Sequence, residues 1–260
     1  MEVVKERRGN ALWLIIDRPQ ARNALSRSVA AELVEGFRAA AADPDVRTVV
    51  LTGSGDKAFC AGADLKDSAG EGKGSAVFAT EDAQNPLIAV FRAMRTCPKP
   101  VIGRVNGVAM GGGLGLMSAC DIVVAASHAK FGTPEVKVGV FPMMITTYLI
   151  RQLPRRKYWE MAFLGEPLSA EEALRYHLVN FVVPVENLDA KVDEVVAKLE
   201  SNSPTALRMG KEALYVMQDL SVDQTMAYAQ LMIERLAGTN DAKEGMSAFI
   251  EKRAPRWTGR

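Results

Sequence analysis

Two glycine-rich stretches carry the groups best suited to chemistry, DKAFCAGADLKD (Asp56 to Asp67) and VNGVAMGGGLGL (Val105 to Leu116). Glycine lets backbone approach a ligand closely, and the first turn of a helix leaves its N–H groups unpaired and positively polarised. Each stretch follows an apolar segment with strand character and runs into a helical pattern, so two backbone N–H groups could be aimed at one carbonyl oxygen. Such a pair is an oxyanion hole, and losing one donor from a site of this kind costs about 2.7–4 kcal/mol of transition-state stabilisation. Taken alone, either loop reads equally well as a tight strand-to-helix turn.

Other chemistries fit poorly. Gly113-Leu114-Gly115 lacks the third glycine of a dinucleotide fingerprint, and Gly72-Lys73 is followed by Gly74 where a phosphate-binding loop needs Ser or Thr. There is no G-x-S-x-G elbow, and a nucleophile activated by one of only two histidines, His128 and His177, is a weak prospect. Cys60, Cys97 and Cys120 have no metal-ligand spacing, and their odd number argues against a disulfide framework. Free thiols and no bound metal are expected. With 32 basic and 31 acidic residues the net charge is +1, so no overall field favours nucleic acid or a membrane surface. The longest apolar run, Ala11 to Ile16, is far too short for a bilayer, and MEVVKERRGN is charged where a signal peptide is apolar. A cytoplasmic protein is expected.

The elements that must position the two loops alternate between strand and helix. NALWLIID, VRTVVLTG, KPVIGRVNG and DIVVAA read as strands. Between them, SRSVAAELVEGFRAAAADP reads as a helix capped by Ser26 or Ser28 and stopped at Asp43-Pro44, and NPLIAVFRAMRTCPKP as a helix stopped at Cys97-Pro98. Strand and helix in this order predict an α/β core with crossover connections. DSAGEGKGSAVFATEDAQ, from Asp67 to Gln84, is small, polar and long enough for a lid over a site. Beyond Tyr158 only LVNFVV has strand character, and from Asn187 to Arg253 the pattern is helical, broken at Ser203-Pro204, Asp219 to Val222 and Gly238 to Asn240. The division expected is an α/β core over 1–195 and a helical region over 196–260. No internal repeat is visible.

RPQARNAL, AFCAGADLKD, VNGVAMGGGLGLMSACDIVVA, AKFGTPEVKVGVFP and EGMSAFIEKR, in this order across nearly the whole chain, resemble the crotonase superfamily, the enoyl-CoA hydratases and isomerases. The resemblance implies a spiral of β-β-α units with a helical C-terminal trimerisation region, assembled as a homotrimer or a dimer of trimers. It implies an acyl-CoA thioester as substrate, with coenzyme A as part of that substrate and no other cofactor. By motif, the oxyanion hole falls on the N–H groups of Ala63 and Gly112. CoA and substrate contacts fall on Arg22, Ala24, Ala61, Asp64, Leu65 and Lys66, with Phe249 and Lys252 supplied by a neighbouring subunit. Asp64 reads equally well as a helix cap, Arg22 as a solvated cation, and the C-terminal segment as interface packing.

The same resemblance exposes a departure. Two-glutamate hydratases carry one catalytic Glu two residues after the third glycine and a second in the later Pro-Glu. The second is present as Glu135, but Gly115 stands in the first position. Hydration of a 2-enoyl-CoA uses paired carboxylates to activate water and deliver a proton, whereas one carboxylate suits proton transfer between C2 and C4 of an enolate. Glu135 with a single-carboxylate site therefore favours Δ3-Δ2 enoyl-CoA isomerisation, with its pKa raised by an apolar pocket. The alternatives are a hydratase, hydrolase or lyase drawing a second acid/base group from Asp67, Glu71, Glu81 or Asp82, and an acyl-CoA-binding oligomer without catalysis. PEVKVGVFPMMITTYL places Met143, Met144 and Ile145 where relatives have small residues, so Met143, with Met144, Met110 and Met117, is expected on a reshaped substrate wall.

Overall fold

The computed structural model describes residues 1–64 and 85–260. Strands β1 (Val3–Arg8) and β2 (Ala11–Ile16) form an antiparallel hairpin at the edge of the larger sheet. After the helix Arg27–Ala42 come β3 (Thr48–Gly53) and β4 (Ala58–Cys60), and after the helix Pro86–Thr96 come β5 (Val101–Val105) and β6 (Val108–Met110). The short helix Gly112–Ser118 leads to β7 (Ile122–Ala126) and β8 (Lys130–Gly132). Two further short strands, β9 (Leu168–Ser169) and β10 (Phe181–Val183), complete two sheets ordered β1-β2-β3-β5-β7-β10 and β4-β6-β8-β9. The first strand of each pair β3/β4, β5/β6 and β7/β8 enters the six-stranded sheet and the second enters the four-stranded one. That is the β-β-α spiral, and it is a structural repetition that the sequence conceals.

The central strands of the large sheet are buried on both faces, as β3 shows with all six residues buried, whereas the edge strand β1 exposes most of its residues. One face packs Leu14, Ile16, Val49 and Leu51 against Leu33 and Phe37 of the helix Arg27–Ala42 and against Phe59. The other packs Trp13, Val50, Ile102 and Val124 against Leu188, Val192 and Val195 of the helix Leu188–Glu200. The expected division at 195/196 thus falls inside a helix whose buried face belongs to the α/β body.

Caps fix the helix ends. Ser26 Oγ accepts from Val29 N at 3.0 Å and Asn85 Oδ1 from Leu87 N at 2.9 Å. The C-terminal helices are Pro204–Met217, Val222–Ala237 and Asn240–Ile250, broken where the sequence predicts. Asp241, at the start of the last, is buried and accepts from Ser203 Oγ, Thr258 N and Gly259 N at 2.9, 2.7 and 3.1 Å. Burial opposes its ionisation, but these donors prevail and hold its pKa at about 2.

Candidate active site

The two glycine loops meet. The segment after β4 is stitched to residues 22–25 by Ala61 N to Arg22 O at 3.0 Å, Leu25 N to Gly62 O at 2.7 Å and Asp64 N to Leu25 O at 2.9 Å. This ladder brings Arg22, Ala24, Ala61, Ala63 and Asp64 into one strip of backbone. Arg22 and Asn23 both take left-handed φ, 50° and 56°, which turns the chain back onto the loop. Leu65 and Lys66, with the expected lid and its carboxylates Asp67, Glu71, Glu81 and Asp82, lie outside the described residues.

Each glycine of the triple answers a separate demand. Gly111 has φ 50° and ψ −125°, a conformation that side chains avoid, and a Cβ there would stand 2.9 Å from Glu135 Oε1. A Cβ on Gly113 would stand 2.1 Å from the carbonyl oxygen of Cys60, so glycine here sets how closely the two loops approach. Between them Gly112 opens its helix, and its Cβ position is 3.9 Å from the Ala63 amide nitrogen. Among the described residues, neither the Ala63 nor the Gly112 N–H donates to a backbone carbonyl. Two adjacent free donors therefore stand at the junction.

Glu135 enters the same junction from the 3-10 turn Pro134–Val138, which follows β8. Its carboxylate lies against Gly111, and Oε2 is buried with no hydrogen-bond partner among the described residues. Burial pushes its pKa above the usual carboxylate range. Nearby, Thr146 Oγ1 donates to Pro142 O at 2.7 Å, which leaves it to accept from the Tyr158 hydroxyl. Burial first, then the charge of Glu135, raises the Tyr158 pKa.

The surroundings of Gly115 are apolar. At Gly115 a Cβ would stand 2.4 Å from Ile145 Cγ2 and 2.8 Å from Phe91 Cζ, so these side chains fill the room that a larger residue would need. The expected methionine wall is divided: Met117 is fully buried core, Met144 is partly buried, and Met143 is 68% exposed at the start of the helix Met143–Gln152. Phe249 is 85% exposed on the last helix, and Lys252 follows that helix with φ 54°.

Three braces escape a motif search because a polar residue in a turn looks like ordinary loop. Arg18 donates to Ala24 O and pairs with Glu2 at 2.7 Å and Asp64 at 2.8 Å, so Asp64 is engaged by a guanidinium. Asn23 and Asn106, both buried, donate to the same carbonyl of Ala58 at 2.7 and 3.1 Å, which pins the strand leading into the Ala63 loop. The left-handed turn implied by Arg22-Asn23 was the available signal. The three cysteines are free, and the described residues contain no group of side chains suited to a metal ion. No described helix is long and apolar enough to cross a membrane.

A profile of the family described as "Enoyl-CoA hydratase/isomerase" matches residues 6–260. The (E)-benzylidenesuccinyl-CoA hydratase of Thauera aromatica is 36% identical over 100% of both chains. The 2,3-dehydroadipyl-CoA hydratase of Escherichia coli is 35% identical over 100% of this chain and 99% of its own. A crystal structure of an enoyl-CoA hydratase from Mycobacterium smegmatis superposes with a TM-score of 0.91 at 35% identity, covering 99% of each chain. The strand-by-strand spiral and this coverage agree: the chain belongs to the enoyl-CoA hydratase/isomerase family of the crotonase superfamily.

Proposed function

We propose that this acyl-CoA enzyme shifts a double bond along the acyl chain, converting a 3-enoyl-CoA into a 2-enoyl-CoA, with Glu135 as its only acid/base carboxylate. The observation that carries this reading is the Glu135 carboxylate, one oxygen of it buried, beside two amides that donate to no backbone carbonyl among the described residues, together with the apolar side chains that fill the space at Gly115. The thioester oxygen accepts from Ala63 N and Gly112 N. Glu135 removes a proton from C2, the negative charge moves onto that oxygen, and the same proton is delivered to C4 as the double bond moves to C2–C3. No water is consumed. Burial of Glu135 suits it to both halves of this cycle, because a raised pKa makes the carboxylate a stronger base toward the C2 proton while the carboxyl it forms is still far more acidic than the carbon to which the proton returns.

The pantetheine and adenine portions lie along Arg22, Ala24, Ala61 and Asp64 in this reading, with Leu65 and Lys66 continuing the strip. Phe249 and Lys252 reach the site of a neighbouring subunit in a homotrimer or dimer of trimers, which the apolar residues exposed on the last helices favour.

The second reading is hydration, favoured by the relatives, which are named hydratases. Its second polar group would be the Thr146–Tyr158 hydroxyl pair. Purified protein given 3-enoyl-CoA and 2-enoyl-CoA separates the two. Isomerisation that disappears in Glu135→Ala, with hydration at least tenfold slower than isomerisation in the wild type, supports the first; hydration as the faster reaction sinks it.

A further inference from the structure

We propose that Ile145, braced by Phe91, determines the reaction outcome by occupying the volume in which a second acid/base group at position 115 would stand. This deepens the isomerase reading and rests on it for its catalytic consequence, though its steric half stands alone. Three helices converge at Gly115: its own, Pro86–Thr96 carrying Phe91, and Met143–Gln152 carrying Ile145. Ile145 is 2% exposed and Phe91 is 7% exposed, so both are core side chains. A Cβ on Gly115 would meet Ile145 Cγ2 at 2.4 Å and Ile145 Cβ at 3.1 Å. The Cβ contact matters most, because no rotamer change moves that atom. Phe91 cannot yield easily either, since Tyr148, one turn beyond Ile145, packs against its ring edge-to-face at 5.1 Å. The site is thus shaped by a reciprocal exchange, a glycine on one helix and a branched side chain on the facing one. Protein fills the space, so the acyl group gains no extra pocket there and the wall offers no partner to a water molecule.

The test uses the full-length protein with Gly115→Ala, Gly115→Glu, Ile145→Gly and the double variant Gly115→Glu/Ile145→Gly, following both thermal unfolding and turnover. Overpacking should lower the Tm of Gly115→Ala and Gly115→Glu by roughly 5–10 °C. Ile145→Gly introduced into Gly115→Glu should recover at least half of that loss. The double variant should hydrate 2-enoyl-CoA at least tenfold faster than either single variant. Single Gly115 variants with an unchanged Tm overturn the steric half, and a folded double variant with no gain in hydration overturns the catalytic half. A wild type that turns over neither enoyl-CoA overturns the isomerase reading instead, and the melting comparison still decides the steric one.

Discussion

The role proposed for Glu135 comes with a cost to the fold. Its raised pKa means that the folded state holds the proton more tightly than the unfolded chain. Protonation therefore stabilises the native state, and that stability is lost as pH rises through the elevated value. Glu135→Gln should lower turnover by about 10²–10⁴-fold and yet raise Tm at pH 8, the Tm difference closing below pH 4. Equal melting curves at both pH values would contradict the burial argument. As a base, Glu135 must be ionised, so the acid limb of the kcat/KM profile should lie above the ordinary carboxylate range. Gly112→Pro tests the neighbouring donor: proline is tolerated at the first helical position but has no N–H, so turnover should fall about 10²–10³-fold in a folded protein. Much of this scale is legible in the sequence, because the glycine triple and the Pro-Glu are local patterns. The pairing of Ile145 with Gly115 and of Arg18 with Asp64 is not, since each partner is distant in the chain.

At the scale of elements, the caps and the breaks at Ser203-Pro204 and Gly238 to Asn240 were readable because they depend on nearest neighbours. The second sheet was not. Its strands AFC, VAM and KFG are three residues long, too short for any periodicity to register. Asp241 ties two C-terminal elements and the tail together through one buried carboxylate. Asp241→Ala leaves those donors without an acceptor and should cost about 2–4 kcal/mol in urea unfolding. Because its pKa is depressed to about 2, the stability it contributes is complete above the usual carboxylate range and is lost as pH falls toward that value. The variant should accordingly be less acid-sensitive between pH 5 and 2 than the wild type.

For the whole molecule, the last helices expose Val222, Met226, Ile233, Phe249 and Ile250, each more than half accessible. Scattered apolar residues are ordinary on a surface, but this many on one small helical layer fit an assembly face. Light scattering should give a mass of three chains or a multiple of three, and Phe249→Asp with Ile250→Asp should shift it toward one. A stable monomer in the wild type would remove the subunit contribution assigned to Phe249 and Lys252. The order of the sheets bears on something else, the history of the chain during synthesis. Both sheets list their strands in the order in which they leave the ribosome, and each β-β-α unit adds one strand to each. Parallel sheets ordinarily fold slowly because their pairings are far apart in sequence. Here every new strand finds its neighbour already in place. The body can wind up from its N-terminus, and the helices with the exposed apolar residues emerge last, after the core they must not engage prematurely is closed.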